Sequence, residues 1–355
     1  MIQIAILSMT SLIAALIVTP IVIKYSKKLH ITDKPNARKV HQEPIPTLGG
    51  IAIAISFIIG LLVLQPTSDF HAAIIIGAGV ILILGIFDDI YDLPAKFKFF
   101  VQFLVACLVV FWGGLQVEFI NLPFGGELEF GLFSEVFTIL WIVGITNAIN
   151  LIDGLDGLAA GVSGIALLTI TGMAMLMGDV YVTTMAMILL FSILGFLRYN
   201  FHPAKIFMGD TGALFLGFMI SVLSLLGFKN VTVVSFLIPI FILGVPISDT
   251  LIAMIRRKVN NRPVSSPDSA HLHHRLIQFG FSHKQTVLFI YLLSTLFSVT
   301  AILFSMTTLW GSMLILCIVL FAITMLVDAL EMITSEFKPF TNLFKRTSDH
   351  RHSKK

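Results

Sequence analysis

The sequence predicts an all-α fold: a polytopic transmembrane helical bundle of about eleven spans. Three observations predict it. Of the 355 residues, 57% are apolar and only 12% are charged, about half the charged share usual in soluble domains. The apolar residues fall in long unbroken runs, whereas a transmembrane barrel shows only weak alternation and a helical span needs about 20 apolar residues. Threading the runs back and forth across a bilayer puts 22 of the 23 Lys and Arg residues on one side, Lys229 being the exception. That asymmetry is the positive-inside pattern. These features exclude a water-soluble domain, a disordered chain, a coiled coil and a small disulfide scaffold.

The runs cover approximately 2–23, 48–64, 71–87, 99–112, 133–149, 157–177, 180–197, 211–227, 231–255, 285–306 and 309–330. No basic stretch precedes the first run, and Lys24, Lys27 and Lys28 follow it. This reads as a retained first helix with its N-terminus outside, not as a cleaved signal peptide. The loops 24–47, 88–98, 150–156, 198–210 and 256–284 and the C-terminus then face the cytoplasm. Residues 115–131 alternate apolar and polar around Gly125-Gly126, which predicts a short outer β-hairpin. Residues 1–337 read as one integral membrane catalytic domain and 338–355 as a basic cytoplasmic tail near anionic headgroups. Cys107 and Cys317 lie inside apolar runs and read as small hydrophobes with no metal or disulfide role.

The acids of the inner side are clustered. Asp88-Asp89 ends the third run. Two adjacent carboxylates repel each other at an apolar helix mouth, and a divalent cation or an exchangeable substrate proton relieves them. Asn147, Asn150, Asp153 and Asp156 step by threes off the fifth run, so neighbouring members share a helix face. On an ideal helix the stripe drifts, and Gly154 and Gly157 allow the helix to end or open there. Ligands made only of oxygen suit Mg²⁺ or Mn²⁺ and do not suit Zn²⁺. Asp210, in Phe207-Met208-Gly209-Asp210-Thr211-Gly212, precedes the eighth run. It reads equally as a metal or phosphate residue at a helix N-terminus and as a simple N-cap.

The longest inner loop, 256–284, combines Arg256, Arg257, Lys258 and Arg262 with Asp268, His271, His273, His274 and Arg275. The first cluster reads as ordinary membrane anchoring. The histidines, without a cysteine beside them, read as donors to phosphate or sugar groups. Acids for a divalent cation plus basic and histidine donors suit phosphoryl transfer from a nucleotide, with a lipid as second substrate.

At these residues the sequence resembles the polyprenyl-phosphate N-acetylhexosamine-1-phosphate transferase superfamily. The motifs are Pro46-Thr47-Leu48-Gly49-Gly50, Phe87-Asp88-Asp89, the stretch Asn147 to Gly157, Phe207 to Gly212, and Pro267 to Leu276. The string His271-Leu272-His273-His274-Arg275 is similar to the N-acetylglucosamine branch of bacterial undecaprenyl-phosphate enzymes, and less so to the phospho-MurNAc-pentapeptide translocases. The resemblance implies transfer of GlcNAc-1-phosphate from UDP-GlcNAc to undecaprenyl phosphate, giving undecaprenyl-diphospho-GlcNAc and UMP. It implies a multi-pass protein of the bacterial cell membrane, acting on the cytoplasmic face at the first membrane step of an envelope polymer such as teichoic acid or O-antigen.

It also implies roles. Asp210, helped by Asn150, would bind Mg²⁺, with Mn²⁺ as substitute. Asp88, with Asp89 beside it, would deprotonate the lipid phosphate, and Asp153 and Asp156 belong to the same catalytic set. Phe207 would stack on uracil, with Asn200 and Asp153 near the nucleoside. Lys98 or Lys96 would meet phosphate, and Asp268, His271, His273 and His274 would face the sugar-phosphate. The expected partners are UDP-GlcNAc, undecaprenyl phosphate and the bilayer, with no nucleic acid; monomer and homodimer both stay open. A secondary transporter is the competing class, but its acids sit near the membrane midplane. Here Asp88, Asp89, Asp153, Asp156 and Asp210 lie at the ends of runs, and Asp249, about two turns inside the ninth, is the exception.

Overall fold

The computed structural model of the protein describes residues 2–33, 44–116, 119–121, 127–129, 131, 133–227, 233–263, 270–307 and 309–330. The helices are α1 (Ile2–Lys28), α2 (Gly49–Leu64), α3 (His71–Tyr91), α4 (Ala95–Cys107), α5 (Phe133–Leu151), α6 (Leu158–Met177), α7 (Val180–Asn200), α8 (Gly209–Leu226), α9 (Val233–Ile242), α10 (Gly244–Val259), α11 (Leu272–Gln278), α12 (His283–Met306) and α13 (Leu309–Ala329). A π-helical turn, Leu108–Trp112, extends α4. Among the described residues nine helices are long and apolar enough to cross a membrane. The protein is a helical, polytopic membrane protein.

The eleven apolar runs correspond to those nine helices, to the shorter α2, and to α9 with α10. The run 231–255 is therefore not one helix. It breaks at Leu243, where φ is −98° and ψ 22°. Pro246 stands in the first turn of α10. There a missing N–H costs nothing, whereas in a continuous helix it would cost a bond and a clash.

The core is organised around α8, in which every residue from Thr211 to Leu226 is buried. Helices α2, α3, α5 and α6 pack around it. Its serines satisfy themselves along the helix, Ser221 donating to the Phe218 carbonyl at 2.7 Å and Ser224 to the Ser221 carbonyl at 2.8 Å. That is the arrangement an apolar surround demands. A Cβ on Gly50 would collide with the backbone nitrogen of Gly212. Only glycine lets α2 cross the start of α8 at that distance.

Two strand pairs complete the fold. β1 (Thr32–Asp33) pairs with β2 (Ile45–Pro46), and β3 (Phe119–Asn121) pairs antiparallel with β4 (Glu127–Glu129), Phe119 opposite Glu129. The second pair is the hairpin expected over 115–131; its turn lies outside the described residues. The basic tail, with Asp268 of the long loop, lies outside them as well.

Candidate active site

The end of α3, the starts of α4 and α8 and the end of α5 meet in one cluster of polar side chains. Its centre is Lys98, in the first turn of α4. The Lys98 Nζ lies 2.7 Å from Asp88 Oδ2 and 3.3 Å from Asp210 Oδ2. The second oxygen of Asp88 accepts from the Leu93 N–H at 2.9 Å. The Asp88 side chain is 1% exposed, that of Asp210 36%, so Asp210 is the member of this pair that faces the opening. Asn150, in the last turn of α5, donates to Asp210 Oδ1 at 2.8 Å. Lys96 is exposed, and it is Lys98 that the fold brings to the acids.

Asp89 turns the other way. Its Oδ1 accepts from the Asp210 N–H at 2.9 Å, and its Oδ2 accepts from the Thr211 N–H at 3.0 Å and the Thr211 hydroxyl at 2.5 Å. These N–H groups are among the orphan donors at the start of α8. The acid that caps α8 is therefore Asp89, reaching in from α3, and Asp210 is not its own helix's N-cap. That excludes the N-cap reading of Asp210 and leaves its carboxylate for Lys98 and Asn150.

The stripe stepping by threes divides. Asn147 donates to Gln102 at 2.5 Å and to the Val143 carbonyl at 2.7 Å, away from Asp210. Helix α5 stops at Leu151, and Asp153 stands in the turn that follows. Burial, then the charges of Asp210, Asp89 and Asp156, push the Asp153 carboxyl up to about 8. Asp156 Oδ2 is bound by His202 Nδ1 at 2.8 Å and by the Ala204 N–H at 3.1 Å. The Asp156 N–H donates to His283 Nε2 at 3.0 Å. The rings of His202 and His283 stack 4.3 Å apart, and Tyr291 of α12 donates to the Gly157 carbonyl at 2.5 Å. Ligand atoms of Asp156, His202 and His283 lie close enough to hold a metal, within 4.8 Å of one another. They are already joined by these hydrogen bonds.

Phe207 and Asn200, the residues expected at the nucleotide, are set by backbone. The Phe207 N–H donates to the Pro46 carbonyl at 2.8 Å, and the Gly49 and Gly50 N–H groups donate to the Phe207 and Met208 carbonyls at 3.0 and 2.9 Å. The first and fourth motifs thus form one unit. Asn200 is buried and donates to the Ile206 carbonyl at 2.9 Å. Its Oδ1 is buried with no partner among the described residues.

The histidine loop docks onto the turn after α5. His273 is 3% exposed, and its Nε2 lies against Gly154, where a Cβ would collide with it. Burial and the neighbouring His274 press the His273 pKa down to about 3, so its ring is neutral at physiological pH. His271 is held by Asp249, Nδ1 to Oδ2 at 2.9 Å. His274 is half-buried, its ring 4.2 Å from that of His273. The sequence reading passed over His202, His283, Gln102 and Tyr291. A histidine beside a proline or a lysine carries no spacing that separates it from a surface residue. Asp249 did carry a signal, as a carboxylate inside an apolar run.

The family model of glycosyl transferase family 4 matches residues 71–228. Several curated proteins are similar to the chain. The Bacillus subtilis (strain 168) protein named probable undecaprenyl-phosphate N-acetylglucosaminyl 1-phosphate transferase is 49% identical over 305 residues, covering 85% of each chain. The decaprenyl-phosphate N-acetylglucosaminephosphotransferase of Mycolicibacterium smegmatis is 33% identical, over 73% of this chain and 71% of its own. The undecaprenyl-phosphate alpha-N-acetylglucosaminyl 1-phosphate transferase of Escherichia coli (strain K12) is 28% identical, over 77% and 76% respectively.

Proposed function

The chain belongs to glycosyl transferase family 4, as a multi-pass membrane phosphotransferase of the polyprenyl-phosphate N-acetylhexosamine-1-phosphate transferase superfamily, and on that premise we propose that it moves GlcNAc-1-phosphate from UDP-GlcNAc to undecaprenyl phosphate. The observation that carries this reading is the convergence of Asp88 and Asp210 on Lys98 at one end of the bundle, with Asn150 holding the far oxygen of Asp210. A phosphoryl transfer asks its protein mainly to position two phosphates and to hold their charge.

In this reading an oxygen of the lipid phosphate attacks the β-phosphorus of the donor. A new P–O bond forms there, the bond from that phosphorus to the bridging oxygen breaks, and UMP leaves with the electron pair. Lys98 meets the phosphates. Asp88 holds Lys98 in place and takes the proton of a lipid phosphate that arrives protonated. Phe207 stacks on the uracil beside Asp153. Asp89 and Asn150 set the direction of Asp210.

The donor set also fits a divalent cation. Asp88 and Asp210 share the Lys98 ammonium, and Asp89 and Asp153 lie close enough to Asp210 for their charges to interact, so the opening offers oxygen ligands. That chemistry selects Mg²⁺ or Mn²⁺. Asp210 and Asn150 would hold the ion, which when bound supplies Lewis-acid neutralisation of the diphosphate.

The site is proposed to face the cytoplasm, because 22 of the 23 basic residues fall on that side. The product would start an envelope polymer such as teichoic acid. The test is UMP release by the purified protein from UDP-GlcNAc, with and without undecaprenyl phosphate. Release that depends on the lipid supports the reading. Release without lipid, or preference for a UDP-MurNAc-pentapeptide donor, overturns it.

A further inference from the structure

Asp249 lies in the second turn of α10 and is 3% exposed. A carboxylate in such a place is costly unless it is paired and hydrogen-bonded. Its oxygens are both used. Oδ2 lies 2.9 Å from His271 Nδ1, and Oδ1 accepts from the Leu272 N–H at 2.8 Å. His271 is itself 5% exposed, and its ring lies within 3° of parallel to that of His273, centroids 6.1 Å apart. His273 in turn sits on Gly154, between Asp153 and Asp156. The His271 imidazole thus stands between a buried acid and His273, which itself rests on the turn after α5. With Nδ1 committed to the carboxylate, Nε2 is the nitrogen left to act, and it makes no hydrogen bond among the described residues. A histidine's second nitrogen is set in this way by the partner of its first.

We propose that Asp249 is a positioning residue for His271: it takes the Nδ1–H and fixes tautomer and ring direction, so that Nε2 meets the sugar-phosphate end of the nucleotide donor. The inference rests on the function proposed above, in which this loop contacts that end. It separates Asp249 from a plain cap on α11, which the Leu272 bond alone would make it. The Asp249→Asn variant keeps an acceptor for the Leu272 N–H. Its amide N–H₂ then faces Nδ1, which must become an acceptor, and the ring tautomer reverses.

The experiment is a double-mutant cycle on lipid-dependent UMP release. Wild type, Asp249→Asn, His271→Ala and the double variant are compared for kcat and KM, for UMP affinity and for melting temperature in detergent. Expected is a loss of kcat of about ten- to hundredfold in each single variant, the scale seen when a histidine loses its orienting partner. The double variant should be no slower than the slower single one. UMP affinity and melting temperature of Asp249→Asn should stay near wild type. Near-wild-type kcat in Asp249→Asn, losses that multiply in the double variant, or a loss that tracks melting temperature would each overturn the proposal. If Asp249→Asn does not fold, Asp249→Glu takes its place in the cycle; if neither folds, Asp249 is a structural anchor and the proposal falls. A wild-type protein that releases no UMP overturns the underlying function, and the positioning role with it.

Discussion

Lys98 is the residue on which the site turns, because two carboxylates from different helices share its ammonium. Asp210→Ala and Asp88→Ala are each expected to lower turnover at least hundredfold in a protein that still folds, the loss of an oriented charge being worth about 2–4 kcal/mol. Turnover kept above about a tenth of wild type, or roughly 1.4 kcal/mol, would remove that residue from the chemistry. Asp153 makes a pH prediction. Its carboxyl is raised to about 8 from an ordinary 3.8, by burial first and then by the charges of Asp210, Asp89 and Asp156. The unfolded chain gives up that proton near 4 while the folded protein keeps it, so stability falls as pH rises from about 4 to 8. In metal-free protein Asp153→Asn is expected to raise the melting temperature at pH 8, with the gain vanishing towards pH 4. A gain independent of pH would contradict this.

At the scale of the element, α8 depends on an acid that belongs to another helix. Asp89 accepts from two backbone N–H groups and one hydroxyl at the start of α8. An N-cap is worth about 1 kcal/mol, and a buried hydroxyl left unpaired costs about 1–3 kcal/mol. Asp89→Ala is therefore expected to lower the melting temperature and turnover together. Thr211→Val, which removes only the hydroxyl, should lower the melting temperature less. Equal stability of Asp89→Ala and wild type by thermal unfolding in detergent would show that α8 needs no such cap. The break between α9 and α10 has a matching consequence. It sets Asp249 on a new helix whose buried side meets the histidine loop, where an unbroken span would have carried it elsewhere.

For the whole molecule, the chemistry of its oxygen donors and the asymmetry of its charge make two predictions. Turnover should be lost to EDTA and restored by Mg²⁺ or Mn²⁺ but not by Zn²⁺; an active preparation carrying stoichiometric zinc would overturn this. Orientation is tested in a background with Cys107 and Cys317 replaced by serine. A cysteine at Lys229 should react with an impermeant thiol reagent in intact cells, and one at Lys258 only after the cells are opened. The reverse labelling would invert the bundle and move the site to the outer face.

The all-α class, the span positions apart from one break, and the residues around the site were legible because each rests on a local quantity. Apolar runs, basic flanks and the stepping of Asn147, Asn150, Asp153 and Asp156 are all read within a few tens of residues. The division of labour was not. Asp88 and Asp89 are neighbours in sequence, yet one binds Lys98 and the other caps a helix that begins 120 residues later. Their side chains point to different sides of α3, and only packing decides what stands on each side. His202 and His283 met Asp156, and His271 met Asp249, by the same route. Burial inside the bundle leaves a polar atom no water to turn to, so each must find its partner across the fold, and the chain alone does not say which helix will supply it.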